Sequence, residues 1–318
     1  MPKAVFLDLD TVSRDDIDLA SLNATPYEWQ IHKRTDPGEA TGRIRDAELV
    51  ITNKVVLDSS ALEQATALKL ICIAATGTNN VDLEKARELG IVVTNVAGYS
   101  TPSVVQHVFA LILSLTTRLP DYQHALHNGA WQRSEQFCLL DFPIRELQGK
   151  TMGIVGYGAL GSAVAGIARA FGMEILIAQR PGGEPAEGRL PLHELLPRCD
   201  ILSLHCPLTR HTANLIGSAE LALMKPDALL INTARGGMVD ENALASALRA
   251  GELGGAGIDV LAVEPPGEGN PLLEPGTPNL IVTPHTAWAS RESRQRLTDE
   301  VAANIQAFQE GEERNRVA

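Results

Sequence analysis

The chain has 318 residues, of which 44% are hydrophobic and 21% charged, and its formal net charge is −12. This length suggests about two domains, and the composition is that of a globular protein, too apolar for a disordered one. The acidic balance argues against binding along a nucleic-acid backbone, because such binding requires clustered positive charge.

The first third of the chain alternates short β-rich runs with helical stretches. This alternation is typical of a parallel sheet covered by helices on both faces. Helices are expected at residues 57–68 and 82–89, and Gly90 ends the second of them. The strands of this region are expected at residues 4–7, 29–32, 48–52, 70–74 and 91–94.

Residues 98–102 interrupt this series, and residues 104–119 form a long, largely buried predicted helix. Its apolar surface is broad enough for a domain interface or a dimer contact. A second strand–helix series follows, and the last helix, residues 291–309, is long enough to cross back to the first domain. The strands of the second series are expected at residues 152–155, 174–178, 201–205, 228–233, 257–260 and 280–283.

Neither a membrane span nor a cysteine framework is predicted. The most apolar stretch, residues 104–115, contains Gln106 and His107 and is shorter than the roughly 18 residues that a span requires. The first residues lack a cleavable signal pattern. The four cysteines are scattered without a CxxC pair, which indicates neither a zinc site nor disulfides. We therefore expect a reduced, cytoplasmic enzyme without a metal site.

A glycine-rich segment, GYGALG at residues 156–161, follows a predicted strand and opens a helix. In this context Gly156 permits a tight turn, Gly158 lets the backbone approach a pyrophosphate, and Gly161 lets the helix pack close to the strand. The helix N-terminus also offers N–H groups and a favourable dipole to phosphates. The segment predicts a dinucleotide site, and the alternative is a plain strand-to-helix turn.

The end of the next strand bears on the choice of dinucleotide. An acidic residue usually stands there to bind the adenosine ribose hydroxyls. Here Gln179 occupies that position and Arg180 follows it. Without the carboxylate a 2′-phosphate is not repelled, and Arg180 could pair with it. The expected cofactor is NAD(H) or NADP(H), with NADP(H) favoured, and the alternative is that Arg180 is a solvated loop residue.

Three reactive side chains come just after later strands: Arg235, Glu264 and His285. Ligands of open α/β sheets bind outside the carboxyl ends of the strands, so these side chains point towards one crevice. An arginine can hold a carboxylate, a histidine can transfer a proton near neutral pH, and a glutamate can orient that histidine. Each residue alone could be a surface or loop residue, but the set in this order indicates catalysis.

At these residues the sequence resembles the D-isomer-specific 2-hydroxyacid dehydrogenase family, and most closely its glycerate dehydrogenase (hydroxypyruvate reductase) branch. The similarity covers most of the chain. The branch assignment depends on NPLL at residues 270–273 and VTPHTAWAS at 282–290. The family segments are ATGTNNVD (75–82), GYGALG (156–161), HCPLT (205–209), INTARGG (231–237), GIDV (257–260), EP (264–265) and PH (284–285).

The resemblance implies a role for each member of the site. His285 would protonate the carbonyl oxygen during reduction, and Glu264 would hold His285. Arg235 would bind the 2-oxo acid, whose carboxylate would be received by the backbone N–H groups of Thr76 and Gly77. The implied cofactor contacts are Thr101, Gly156, Tyr157, Gly158, Ala159, Leu160, Gly161, Gln179, Arg180, Cys206, Pro207, Thr233, Ala234, Arg235, Asp259, His285 and Ala287, with Asp259 near the nicotinamide carboxamide.

The resemblance also implies the architecture. Residues 1–98 and 289–318 would form a flavodoxin-like substrate domain, into which a doubly wound Rossmann domain of residues 99–288 is inserted. A homodimer would form around residues 104–131. Trp288, three residues after His285, is expected to wall the substrate pocket, or alternatively to pack in a core. The expected partners are a small 2-oxo or 2-hydroxy acid and a second copy of the chain, with neither nucleic acid nor membrane.

Three other functions are considered. A non-catalytic, nucleotide-sensing protein could use the same scaffold, and so could a formate- or phosphite-type dehydrogenase. A phosphatase is suggested by FLDLDTV at residues 6–12, in which Asp8 and Asp10 match a nucleophile motif of haloacid-dehalogenase-like enzymes. That chemistry also needs a lysine and an acidic pair on later strands, and Asp15 and Asp16 come too early to supply the pair.

Overall fold

The computed structural model describes residues 1–318, which divide into two compact units. Unit 1 comprises Met1–Pro102 and Trp288–Ala318, and unit 2 comprises Ser103–Ala287. Each unit contains one parallel sheet with helices, so the predicted α/β class with two parallel-sheet domains is confirmed. None of the helices combines the length and the apolarity that crossing a membrane would need.

Unit 1 contains a five-stranded parallel sheet in the order β2-β1-β3-β4-β5, which is the flavodoxin-like order. Its strands are β1 (Lys3–Phe6), β2 (Glu28–Ile31), β3 (Leu49–Thr52), β4 (Leu70–Ile73) and β5 (Val92–Thr94). Its helices are α1 (Ala20–Asn23), α2 (Ala40–Ile44), α3 (Ser59–Gln64), α4 (Leu83–Glu88) and the C-terminal α11 (Arg291–Glu310).

The two faces of this sheet are covered by different helices because side chains alternate along each strand. Phe6 of β1 belongs to the core beneath α11, with Leu297 and Val301. Its neighbour Val5 belongs to the opposite core, which includes Ile44 of α2. The alternation therefore buries both faces, as expected for parallel strands connected by helices.

Asp8, the residue that suggested a phosphatase, holds the loop that follows β3. Its carboxylate accepts hydrogen bonds from the backbone N–H groups of Asn53, Lys54 and Val55 at 2.9, 2.6 and 3.3 Å. The residue is only 3% exposed, and burial raises the pKa of the carboxyl group. A carboxylate enclosed by backbone donors in this way is not presented to a phosphate ester.

Unit 2 contains a six-stranded parallel sheet in the order β11-β10-β9-β8-β6-β7. Its strands are β6 (Thr151–Val155), β7 (Glu174–Ile177), β8 (Ile201–Leu204), β9 (Leu229–Asn232), β10 (Gly255–Ile258) and β11 (Leu280–Val282). Its helices are α5 (Thr101–Thr116, which starts two residues before the unit boundary), α6 (Leu119–His127), α7 (Ala159–Ala170), α8 (Leu192–Leu195), α9 (Ser218–Leu221) and α10 (Glu241–Ala250).

The strand order of unit 2 is that of a dinucleotide-binding sheet. The strand that would follow β7 along the chain is reduced to a single β-bridge. Leu190 pairs in parallel with Ala178 just beyond β7, which adds the missing position outside β7. The order then becomes 3-2-1-4-5-6, extended by one strand. The direction of winding reverses between β6 and β8, and ligands bind at the carboxyl ends of strands at such a point.

The helix predicted over residues 104–119 is the clearest difference from the sequence analysis. The structure has α5 ending at Thr116 and a separate α6 starting at Leu119. Arg118 between them has φ +56°, a left-handed conformation that ends a helix, and Pro120 lies in the first turn of α6. The helix predicted over residues 57–68 is also shorter, because it extends only over Ser59–Gln64.

Candidate active site

The glycine-rich turn after β6 is built by close packing at two of its three glycines. Gly156 has φ +94°, and a Cβ there would lie 2.6 Å from the backbone nitrogen of Cys206. A Cβ on Gly161 would lie 2.1 Å from the carbonyl oxygen of Gly156. Neither position can accept a larger residue, so the turn after β6 lies directly on the turn after β8.

The third glycine, Gly158, borders open space. A Cβ on Gly158 would meet no atom within 4 Å, so packing does not require glycine there, whereas a close-lying ligand would. Gly158 is the N-cap of α7 and no side chain caps this end, so the first-turn N–H groups remain available for an anion. Tyr157, Ala159 and Leu160 lie in the same turn, where a pyrophosphate would be bound.

Two buried polar atoms near the same sheet edge have no hydrogen-bond partner: Thr233 Oγ1, after β9, and His205 Nδ1, after β8. Buried polar atoms are normally paired, so such atoms indicate a missing ligand or water. His205 Nε2 lies 2.9 Å from Ser203 Oγ, and burial lowers the pKa of the imidazole to about 4, which keeps it neutral. With the open glycine turn, these atoms fit a dinucleotide bound across the strand ends.

The residues at the end of β7 form an open turn. Gln179 donates its backbone N–H to Leu190 O at 2.8 Å, and Gly183 donates to Arg180 O at 2.9 Å. The Arg180 side chain is exposed. The end of β7 thus carries Gln179 where an acidic residue usually stands in dinucleotide-binding sheets.

Arg235 follows β9 in a loop that Asn232 holds. The buried Asn232 side chain accepts a hydrogen bond from Ala234 N at 3.0 Å and donates one to Arg235 O at 2.9 Å. The guanidinium donates to Ala234 O at 2.7 Å and is otherwise exposed. The next residue, Gly236, lies against the segment after β10, because a Cβ on it would be 1.9 Å from the carbonyl carbon of Leu261.

Glu264 and His285 form a close pair. Glu264 Oε2 lies 2.6 Å from His285 Nδ1, and its Oε1 accepts the backbone N–H of Leu261 at 2.8 Å. The two side chains are 33% and 31% exposed, so both remain reachable by a small molecule. Since a carboxylate only accepts, Nδ1 carries the hydrogen of this bond and Nε2 is the atom left to exchange a proton.

His285 also has an unusual backbone. Its φ is +53°, a left-handed conformation that costs a non-glycine residue about 1–3 kcal/mol. Its N–H is directed at Asp259 O, 2.8 Å away, and at Thr283 O, 2.9 Å away. Such a conformation persists only where the surroundings enforce it, and it is common in functional sites.

Asp259 is 1% exposed, and its carboxylate is occupied by the segment that carries His285. Oδ1 accepts from Thr283 Oγ1 at 2.6 Å and from Thr286 N at 2.9 Å, while Oδ2 accepts from Ala287 N at 2.9 Å. The contact of Asp259 with the nicotinamide carboxamide stays a prediction. The contacts present assign it to the loop around His285.

The other residues of unit 2 that are predicted to contact the cofactor also lie near the strand ends. Cys206 is buried, and burial raises the pKa of its thiol to about 11, so it remains protonated. Pro207 is exposed and its carbonyl accepts from Thr212 Oγ1 at 2.7 Å. Ala234 and Ala287 are buried.

Four predicted residues belong to unit 1. Thr76 is exposed and fixed by two hydrogen bonds, from its hydroxyl to Val96 O and from the Asn95 side chain to its carbonyl, each 2.8 Å long. Gly77 follows it within the loop between β4 and α4, and Thr101 is the first residue of α5. Trp288 packs edge-to-face on Tyr99, with ring centroids 6.3 Å apart, and against the core of unit 1.

Sequence reasoning missed three residues that shape the site: Asn232, Thr283 and His205, whose Nδ1 has no hydrogen-bond partner. The HCPLT segment contained His205, but only the buried, unpartnered Nδ1 distinguishes it from a core histidine. His107 contacts one of these residues, because its Nε2 lies 2.9 Å from Thr283 Oγ1.

A parallel sheet with an open glycine turn at its switch point and an Arg, Glu and His on later strand ends defines a nicotinamide-dependent oxidoreductase. Residues 109–287 match the family described as "D-isomer specific 2-hydroxyacid dehydrogenase, NAD binding domain". The chain belongs to the D-isomer-specific 2-hydroxyacid dehydrogenase family, which confirms the resemblance.

Relatives match over nearly the whole chain. A glycerate dehydrogenase of Methylorubrum extorquens is 43% identical over 98% of both chains. A hydroxypyruvate reductase of Blautia hydrogenotrophica is 37% identical over 97% of both. Among solved structures, an NADPH-dependent glyoxylate/hydroxypyruvate reductase from Sinorhizobium meliloti, in complex with NADP and malonate, is 30% identical with a TM-score of 0.82, over 100% of this chain and 97% of its own.

Proposed function

We propose that this protein transfers a hydride between a nicotinamide cofactor and C2 of a small D-2-hydroxy acid or 2-oxo acid, with glycerate/hydroxypyruvate or glyoxylate as the substrate pair. The single observation that carries the proposal is the bond of 2.6 Å between Glu264 and His285 in a partly exposed position. The names of the relatives, which are glycerate dehydrogenase, hydroxypyruvate reductase and glyoxylate reductase, support this substrate class.

His285 is the proton donor and acceptor in this proposal. In reduction, protonated Nε2 gives its proton to the carbonyl oxygen, and in oxidation neutral Nε2 takes the proton of the hydroxyl group. Glu264 fixes the ring orientation through Nδ1 and stabilises the imidazolium. The nicotinamide cofactor supplies or accepts the hydride when bound. Residues at the carboxyl ends of β6 to β9 would hold it, with Asp259 near its carboxamide.

Arg235 is the substrate-binding cation in this proposal. Its guanidinium stands on a loop held by Asn232 and packed at Gly236 against Leu261, whose N–H is bound by Glu264. The loops that carry Arg235 and Glu264 are therefore packed against each other. A planar guanidinium can bind a carboxylate with two parallel hydrogen bonds and so orient the adjacent carbonyl group. Thr76, Gly77 and Trp288 remain predicted substrate contacts.

For the cofactor we propose a preference for NADP(H). Initial rates with hydroxypyruvate and glyoxylate, measured with NADPH and with NADH, test the function and the preference together. Replacing Arg180 by alanine is expected to raise KM for NADPH roughly 10- to 100-fold, because a charge-assisted pair with the 2′-phosphate is lost. KM for NADH should change less than about threefold, since NADH has no 2′-phosphate.

Arg169→Ala is the matched control, because Arg169 is an exposed arginine at the far end of α7. Turnover with NADH alone would leave the oxidoreductase in place and contradict the NADP(H) preference. A wild-type NADPH profile for the Arg180 variant would remove Arg180 from the cofactor site. No oxidation of either cofactor with either acid would contradict the proposed substrates.

We also propose a homodimer, formed around residues 104–131 and continued by the segment that follows. This segment exposes large apolar side chains: Trp131 is 52% exposed, Phe137 89% and Leu140 84%. Apolar groups clustered in this way mark interaction surfaces. Light scattering after size exclusion should give twice the 34.1 kDa of the chain. The double variant F137D/L140D should shift this species to the monomer mass, and a wild-type monomer would contradict the proposal.

A cytoplasmic location stays a prediction. It is compatible with four free cysteines, three of which are buried.

A further inference from the structure

Helix α5 makes hydrogen bonds to both ends of the segment that carries His285, residues 283–287. Ser103 Oγ donates to Ala287 O at 2.7 Å, and His107 Nε2 lies 2.9 Å from Thr283 Oγ1. Ser103 and His107 are four residues apart and so share one face of α5. The two contacts fix the two ends of the five-residue segment in which His285 is the central residue.

Helix α5 packs directly on β10, the strand that precedes Asp259. A Cβ on Gly257 of β10 would lie 2.9 Å from Leu111 Cβ, so this helix and strand approach as closely as glycine allows. Leu111 is one turn after His107 on α5. Asp259 comes directly after the end of β10. His107 and Asp259 thus reach the His285 segment from two elements packed on each other.

The hydrogen bonds between these residues have one allowed direction. The Asp259 carboxylate only accepts, so the Thr283 hydroxyl must donate its single hydrogen to Oδ1, 2.6 Å away. The Thr283 oxygen then has only lone pairs to offer to His107, and His107 Nε2 must be the donor. The hydrogen bonds therefore run from His107 through Thr283 to Asp259, whose Oδ1 also lies 3.5 Å from His107 Nε2.

The same Asp259 determines the backbone of His285. Its carbonyl oxygen is 2.8 Å from His285 N, and its carboxylate accepts the N–H groups of Thr286 and Ala287, the two residues that follow. Three consecutive N–H groups are thereby directed at one residue. This arrangement holds His285 at φ +53°, where it meets Glu264.

We propose that His107 and Thr283 are positioning residues: acting through Asp259, they hold the left-handed segment that presents His285 to the substrate. The inference rests on the proposed role of His285 as proton donor and acceptor. Neither residue touches the reacting atoms. Their loss should displace the imidazole, and a displacement of about 1 Å in a catalytic group can cost 10²-fold in rate.

The test compares Thr283→Val, which removes the hydroxyl at nearly constant size, with Thr283→Ser, which keeps it. With hydroxypyruvate, Thr283→Val should lower kcat about 10- to 100-fold and leave KM for the nicotinamide cofactor within twofold, while Thr283→Ser should retain at least a third of wild-type kcat. His107→Leu should behave like Thr283→Val, and His107→Gln, whose amide can donate in place of Nε2, should recover most of kcat.

The double variant H107L/T283V separates positioning from general damage. Both residues act on the Asp259 carboxylate, His107 through the Thr283 hydroxyl and also directly from 3.5 Å away, so the kcat of the double variant should stay close to that of Thr283→Val, whereas independent structural losses would multiply. Thermal midpoints and cofactor titration confirm that each variant is folded and binds cofactor. The proposal is overturned if Thr283→Val stays within twofold of wild type, if Thr283→Ser loses as much as Thr283→Val, or if the losses multiply.

A parallel assay of His285→Ala distinguishes this inference from the proposed function. An active His285→Ala variant would remove the proton-transfer role and the positioning role with it. An inactive His285→Ala variant beside wild-type rates for Thr283→Val and His107→Leu would overturn the positioning role alone.

Discussion

Replacing His285 by alanine should lower kcat for the reduction of hydroxypyruvate or glyoxylate by about 10²–10⁴-fold, the usual contribution of a general acid. Glu264 contacts the other ring nitrogen, so Nε2 is the ring atom from which the proton would be transferred. The affinity for the nicotinamide cofactor, measured by fluorescence titration, should stay within about threefold of wild type, because the glycine turn and the end of β7 are untouched.

His193→Ala provides the control for this experiment. His193 also lies near a glutamate, Glu194, but is 73% exposed on α8 and does not belong to the set of Arg235, Glu264 and His285. Its replacement should leave kcat unchanged. A His285→Ala enzyme that keeps more than about a tenth of wild-type kcat would contradict the general-acid role.

Arg235→Ala should raise KM for the 2-oxo acid and lower kcat together. The carboxylate loses its cation, and the carbonyl group loses its orientation towards His285. Truncating one partner of a hydrogen-bonded charge pair costs about 2–5 kcal/mol, so kcat/KM should fall roughly 30- to 4000-fold. Arg235→Lys should recover only part of this loss, because an ammonium group keeps the charge without the planar fork.

Steady-state kinetics with varied hydroxypyruvate at saturating cofactor measure both parameters. Arg249→Ala is the control, because Arg249 is paired with the partly exposed Glu274 on the surface of α10. If KM and kcat of the Arg235 variant both match those of wild type, Arg235 takes no part in substrate binding. A change in KM alone would indicate binding without orientation.

The parts of the fold that follow from local chemistry could be predicted from the sequence. Short, continuous apolar runs identify β1 and β3 because each is buried on both faces, and Gly156 and Gly161 stand where packing leaves no room for a side chain. The family could be identified from short segments, such as GYGALG and INTARGG, in which the chemistry of binding and catalysis determines the residue type. Strand ends differ by one or two residues, since hydrogen bonding across the sheet decides them.

The support of His285 could not be predicted, because it depends on contacts between residues distant in the chain. His107 and Thr283 are 176 positions apart, and Ser103 and Ala287 are 184 apart. The family resemblance implies that Asp259 lies near the nicotinamide carboxamide, and that contact stays a prediction. Only the positions of three donors around its carboxylate reveal that it holds the loop.

The strand order of unit 2 has a consequence for redesign. Arg180 follows β7 at one edge of the sheet, whereas Arg235 follows β9, three strand positions away. At a spacing of about 4.8 Å per strand, this separation is roughly 14 Å, and β11, which precedes His285, lies two positions further. Substitutions so far apart normally combine additively. We therefore expect a substitution of Arg180 that changes the coenzyme preference to leave the proposed proton transfer at His285 unaffected.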